Sequence, residues 1–102
     1  MHAIAAYEYQ NIQVSVSQNI LTVTLNRPQK KNALSFKMIN ELIEVADHIK
    51  KDKSLRAVIL NGSGNTFCAG IDLGDLNNPK NQIFALWELV KPWQSIFQRV
   101  CL

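Results

Sequence analysis

A chain of 102 residues has the length of one domain, and a globule of that size hides roughly 60–68% of the surface its unfolded chain exposes. A composition of 47% apolar and 19% charged residues excludes disordered and collagen-like classes, and the uninterrupted apolar runs are too short to cross a bilayer. The net charge of +3 is spread over many lysine-bearing segments rather than gathered into the basic stripe that nucleic-acid binding uses. Neither nucleic acid nor membrane is expected as a partner.

The opening "MHAIAAYEYQNIQV" has no basic n-region and meets Glu8 before any long apolar run, so it does not read as a secretory signal, and a cytoplasmic location is expected. Cys68 and Cys101 lie 33 positions apart, and His2 and His48 show no metal-ligand spacing. Neither a disulfide framework nor a metal site is suggested.

In "IQVSVS", Ile12, Val14 and Val16 alternate with Gln13, Ser15 and Ser17, the period-2 pattern of a half-buried strand. "ILTVTL" repeats it with Leu21, Val23 and Leu25 against Thr22 and Thr24, and the short "QN" between the runs predicts an antiparallel hairpin. "NRPQKKNA" then breaks the pattern. Pro28 fixes its own φ and pushes Arg27 toward extended geometry, and the polar residues around it predict an exposed loop.

From Ser35, a candidate N-cap, Met38, Ile39, Leu42, Val45, Ala46 and Ile49 recur at helical spacing. Lys50, Lys51 and Lys53 close the segment, where cations suit the negative end of the helix dipole. Ala57 to Leu60 form a short continuous apolar run bounded by Arg56 and Asn61-Gly62, which predicts a parallel strand buried on both faces. Hairpin, helix and buried strand make one layered α/β unit. After "NNPKN", the apolar set Ile83, Leu86, Leu89, Val90, Trp93, Ile96, Phe97 and Val100 marks a helical segment that Pro92 kinks or restarts. Trp87 and Trp93 in that stripe fit core or subunit-interface packing better than an acyl pocket.

All four glycines, Gly62, Gly64, Gly70 and Gly74, fall between the apolar strand and an acidic helix start. Such a cluster lets backbone approach a ligand closely and leaves amide groups free for negative charge, which is the chemistry of an anion or oxyanion site. A surface turn needing permissive residues is the other reading. "GSGNTF" places Phe67 where a dinucleotide motif has its third glycine, and no phosphate-loop or nucleophile-elbow spacing is present. Phe67, Cys68 and Ala69 read as buried, with no neighbouring base to activate Cys68. Asp72 and Asp75 could share a helix face, but Asp72 is better explained as a cap and Asp75 as a solvated first-turn acid. His48, beside Asp47 and Lys50, reads as a solvated or capping residue.

"LNRPQKKNALS", followed one helix and one strand later by "AVILNGSGNTFCAGIDLGDL", resembles the enoyl-CoA hydratase/isomerase (crotonase) superfamily from about Tyr9 to Leu102. The "GIDL" form is similar to its dienoyl-CoA isomerase members. The resemblance implies the N-terminal portion of a spiral of β-β-α turns, spanning 1–102 and incomplete at its C-terminus. It also implies an acyl-CoA substrate and no metal or redox cofactor, while the apolar C-terminal helical face and an unpaired strand edge lead to the expectation of a homo-oligomer.

It further implies that the backbone N–H of Ile71 is the first of two donors to the thioester oxygen. Substrate contacts would run through Ala69, Gly70, Ile71, Asp72 and Leu73, and the loop carrying Lys30, Lys31, Asn32 and Ala33 would lie near the CoA nucleotide. In the family the second donor comes from a glycine-rich loop after the next strand, and the acid/base carboxylates follow that loop. No glycine occurs after Gly74, and Glu88 matches no catalytic position of the family. Turnover by these residues alone is therefore not expected, and a catalytically inactive, self-associating module is the alternative.

Overall fold

The computed structural model describes residues 2–70 and 91–94. Strands β1 (Ile12–Ser17) and β2 (Ile20–Leu25) form the expected antiparallel hairpin, pairing from Ile12↔Leu25 to Ser17↔Ile20. Its two-residue turn holds Gln18 at φ 53° and Asn19 at φ 63°, the left-handed pair whose twist matches that of the flanking strands. Because Val14 faces Val23 and Val16 faces Leu21, the apolar residues of both strands share one side of the sheet.

Helix α1 (Phe36–Lys51) covers that side. Ser35 caps it through its hydroxyl, which accepts the Met38 N–H at 3.1 Å. The residues its spacing marks as apolar, Met38, Ile39, Leu42, Val45, Ala46 and Ile49, are all buried. With Ile12, Leu21, Val23 and Leu25 they form the core.

Strand β3 (Ala57–Gly62) lies parallel to β2, with Leu21 opposite Val58 and Leu25 opposite Gly62, completing the sheet order β1-β2-β3. One expectation fails here: the strand is not buried on both faces. Val58 and Leu60 pack on the core, whereas Ile59 on the opposite face is 49% exposed. A continuous apolar run records no alternation, so it does not reveal which face of the strand has a cover.

Residues 91–94 are helical, and Trp93 is buried in the core with its indole N–H donating to the Leu42 carbonyl at 3.0 Å. The core reading of Trp93 therefore holds. Trp87 and the rest of the apolar stripe lie outside the described residues, and no described helix is long and apolar enough to cross a membrane.

The N-terminal segment adds structure that the apolar pattern did not signal. Ala3–Ala6 form a 3-10 turn that buries Ile4 in the core. His2 fastens it, with Nδ1 against the Asp52 carboxylate beyond α1 and Nε2 2.9 Å from Asn19 Oδ1 in the hairpin turn. Asp52 also accepts the Ser54 hydroxyl at 2.5 Å and the Ser54 N–H at 3.0 Å. His48 is neither purely solvated nor a side-chain cap: its ring lies against Tyr7, with centroids 4.7 Å apart.

Two outcomes follow from these contacts. Ser35→Ala removes the cap of α1 and is expected to lower stability by about 1 kcal/mol, with Ser35→Asp restoring most of it, as read by urea denaturation. The N-terminal clasp contributes to both limbs of the pH profile. Hydrogen bonds from Ser54 and then His2 hold Asp52 down at about 2, against an ordinary 3.8, so its contribution is complete above 3.8 and lost as pH falls toward 2. The hydrogen bond to Asp52, then that to Asn19, holds His2 above its ordinary 6.5, so its contribution is complete below 6.5 and lost as pH rises through the raised value. Thermal melts of the wild type are expected to show greatest stability between these limits, and His2→Ala is expected to flatten the alkaline limb.

Candidate functional site

Leu25 and Gly62 are paired at the ends of parallel strands, so the chain leaves β2 and β3 side by side, at the carboxyl edge where open α/β sheets hold their ligands. The two segments that leave there carry the singled-out motifs, residues 26–34 and 63–70.

The first segment is more ordered than a polar loop. Pro28 starts a 3-10 turn, Pro28–Lys30, after Arg27 at φ −129° and ψ 59°. Lys31 and Asn32 then both take left-handed conformations, at φ 52° and 56°. Such residues strain an L-backbone by about 1–2 kcal/mol each, so the surroundings must hold them in place. Backbone bonds do part of this: Asn32 N–H donates to the Arg27 carbonyl at 2.8 Å and Ala33 N–H to that of Lys30 at 3.0 Å. The Arg27 guanidinium donates to the Ala33 carbonyl at 2.5 Å.

Asn32 does the rest, and it corrects the reading of this stretch as exposed. Lys30 and Lys31 are exposed, but Asn32 is fully buried, at 0% exposure. Its Oδ1 accepts the Arg27 N–H at 2.7 Å, and its Nδ2 donates to the carbonyls of Ser63 at 2.9 Å and Thr66 at 2.6 Å. An acceptor facing one N–H and a two-proton donor facing two carbonyls fixes the orientation of the carboxamide and accounts for its burial.

The second segment folds back tightly over the end of β3. A Cβ on Gly62 would sit 2.5 Å from the Phe67 carbonyl oxygen and 2.8 Å from that of Thr66, so glycine is required there by close approach. Gly70, at φ +100°, is required by conformation instead. Ser63 ties the segment to the end of β2, its N–H donating to the Leu25 carbonyl at 2.9 Å and its hydroxyl to Asn26 Oδ1 at 3.0 Å.

Farther along, Ala69 N–H donates to the Lys31 carbonyl at 3.0 Å, and Leu34 N–H donates to the Gly70 carbonyl at 2.7 Å. Phe67 and Ala69 are not buried as expected: Phe67 is 52% exposed and Ala69 is exposed, because the turn over Gly62 carries them to the rim. Cys68 is half-buried against the core, and its sulfur accepts the Gly70 N–H at 3.4 Å.

Of the expected site residues, the structure brings Lys31 to Ala69 and places Lys30, Ala33 and Gly70 in the same pair of segments. Ile71, Asp72 and Leu73, and with them Asp75, lie outside the described residues. No group of three or more His, Cys, Asp or Glu side chains among the described residues could hold a metal ion. Asn32 is the member whose role sequence reasoning missed. The available signal was an Asn directly after two lysines and before an apolar pair, a residue type that tolerates the left-handed region and satisfies backbone groups at turns.

The sequence model of the enoyl-CoA hydratase/isomerase family matches residues 15–100. The mitochondrial Delta(3,5)-Delta(2,4)-dienoyl-CoA isomerase of Mus musculus is 42% identical over 74 residues, covering 72% of this chain and 23% of that protein. The 1,2-epoxyphenylacetyl-CoA isomerase of Escherichia coli K12 is 39% identical over 62 residues, 61% of this chain and 24% of that one. The crystal structure of an enoyl-CoA hydratase/isomerase from Pseudoalteromonas atlantica T6c superposes with a TM-score of 0.74 at 33% identity, covering 81% of this chain and 34% of its own. The chain thus spans about a quarter to a third of the length of these relatives. On its sequence and its α/β fold alike, it belongs to the enoyl-CoA hydratase/isomerase family.

Proposed function

We propose that the chain binds an acyl-CoA thioester for hydration or double-bond isomerisation, with the Ile71 N–H as the first donor to the thioester oxygen. The observation that carries this reading is the hydrogen bond from Leu34 N–H to the Gly70 carbonyl at 2.7 Å. Gly70 C=O and the amide of residue 71 belong to one peptide unit, and a planar trans peptide directs its N–H opposite to its C=O. Anchoring the Gly70 oxygen restrains the described end of that peptide before any ligand arrives. Hydration of an enoyl thioester and migration of its double bond both develop negative charge on the carbonyl oxygen, and a donor fixed in advance favours that transition state over the ground state.

Lys30 and Lys31, exposed on the adjoining turn, would attract the phosphates of the CoA nucleotide, with Ala33 beside them. Ala69, Gly70, Asp72 and Leu73 would flank the thioester, Asp72 serving as a helix cap. The second donor would come from a later glycine-rich loop of the spiral, and the acid/base carboxylates from the residues that follow it.

The test binds octanoyl-CoA carrying a ¹³C thioester carbonyl and follows its infrared stretch. The wild type is expected to shift the band to lower frequency; Ile71→Ala, which keeps the amide, retains the shift, and Ile71→Pro, which lacks it, does not. Where enoyl-CoA turnover is measurable, Ile71→Pro lowers it by about 10²–10³. Equal shifts in the two variants would exclude Ile71 as the donor. Exposed Ile59 and Phe67 support a second reading, a self-associating module without turnover. Concentration-dependent association without any carbonyl shift would favour it.

A further inference from the structure

We propose that Asn32 is a positioning residue for the thioester-binding segment, acting through the backbone of residues 63–70 and touching no reacting atom. The proposal rests on the acyl-CoA reading of the site. Its ground is the division of labour within one buried carboxamide. The acceptor side, Oδ1, holds the lysine-bearing turn through the Arg27 N–H, and the donor side, Nδ2, holds the opposite segment through the Ser63 and Thr66 carbonyls. Residues 69 and 70 then meet the same turn through Ala69 N–H to the Lys31 carbonyl and Leu34 N–H to the Gly70 carbonyl. Asn32 thus sets the spacing between the turn assigned to the CoA phosphates and the peptide assigned to the thioester.

The two sides of the carboxamide are separable by one substitution. Asn32→Asp keeps an acceptor for Arg27 but points a carboxylate oxygen at two carbonyl oxygens, which it repels. The lysine turn should hold while residues 63–70 come loose. A merely structural role would lower global stability and leave the native positions of Leu34 and Ala69 as they were.

The experiment combines amide hydrogen exchange with the infrared shift of ¹³C-carbonyl octanoyl-CoA. In Asn32→Asp, the Leu34 and Ala69 amides are expected to exchange at least about tenfold faster relative to Val45 and Ala46 of α1. The carbonyl shift should be lost while free CoA still binds. Wild-type protection of Leu34 and Ala69 in the folded variant, or a persisting shift, overturns the proposal.

A wild type that shows no carbonyl shift defeats the acyl-CoA reading instead, and the exchange comparison still decides the role of Asn32. Should Asn32→Asp fail to fold, Asn32→Ala removes the same side-chain bonds to residues 27, 63 and 66 without burying a charge. Loss of Leu34 and Ala69 protection there supports the proposal, and unchanged protection overturns it.

Discussion

The buried carboxamide of Asn32 joins the two stretches of chain that leave β2 and β3. Its three hydrogen bonds all go to backbone, one on the turn after β2 and two on the segment after β3. At 0% exposure the carboxamide itself has no water as a substitute partner, so losing any one of these bonds leaves a buried polar atom unsatisfied. The left-handed backbone at Lys31 and Asn32, the tight fold over Gly62 and the bridge from residues 31–34 to 69–70 all depend on it.

The fold brings these stretches within reach by ordinary means. Apolar alternation pairs β1 with β2, an amphipathic α1 covers the shared face, and a crossover of that length returns the chain parallel to β2. Parallel pairing puts Leu25 next to Gly62, so two loops with different jobs begin at one edge. Loops at that edge are free to carry chemistry because the strands and helix beneath them are already satisfied by burial. Fold and site position thus share one cause, the register of β2 against β3.

The hairpin, α1 and its six buried residues were legible from sequence because each follows from a period that burial enforces. The Ser35 cap was legible because capping is local. What escaped was of another kind. The burial of Asn32 depends on carbonyls more than thirty positions away, and no local pattern marks a polar residue whose partners arrive from another strand. Phe67 looked apolar enough to bury, but its place on the rim follows from the contact across Gly62. The N-terminal turn escaped for the same reason: Ile4 stands among alanines that show no period, and its place is secured by polar contacts from His2 to Asp52 and Asn19.

Two kinds of stabilisation therefore divide the molecule. The helix and sheet are held by burial, which is non-directional and tolerates small displacements, whereas the site segments are held by hydrogen bonds that fix angle as well as distance. That difference suits the proposed oxyanion donor, since an amide displaced by a fraction of an ångström loses its aim while a core leucine displaced as far still excludes water. A polar lock on the loops gives the site a rigidity that more apolar contact would not supply, and it explains why a fully buried Asn stands in a stretch otherwise fit for solvent.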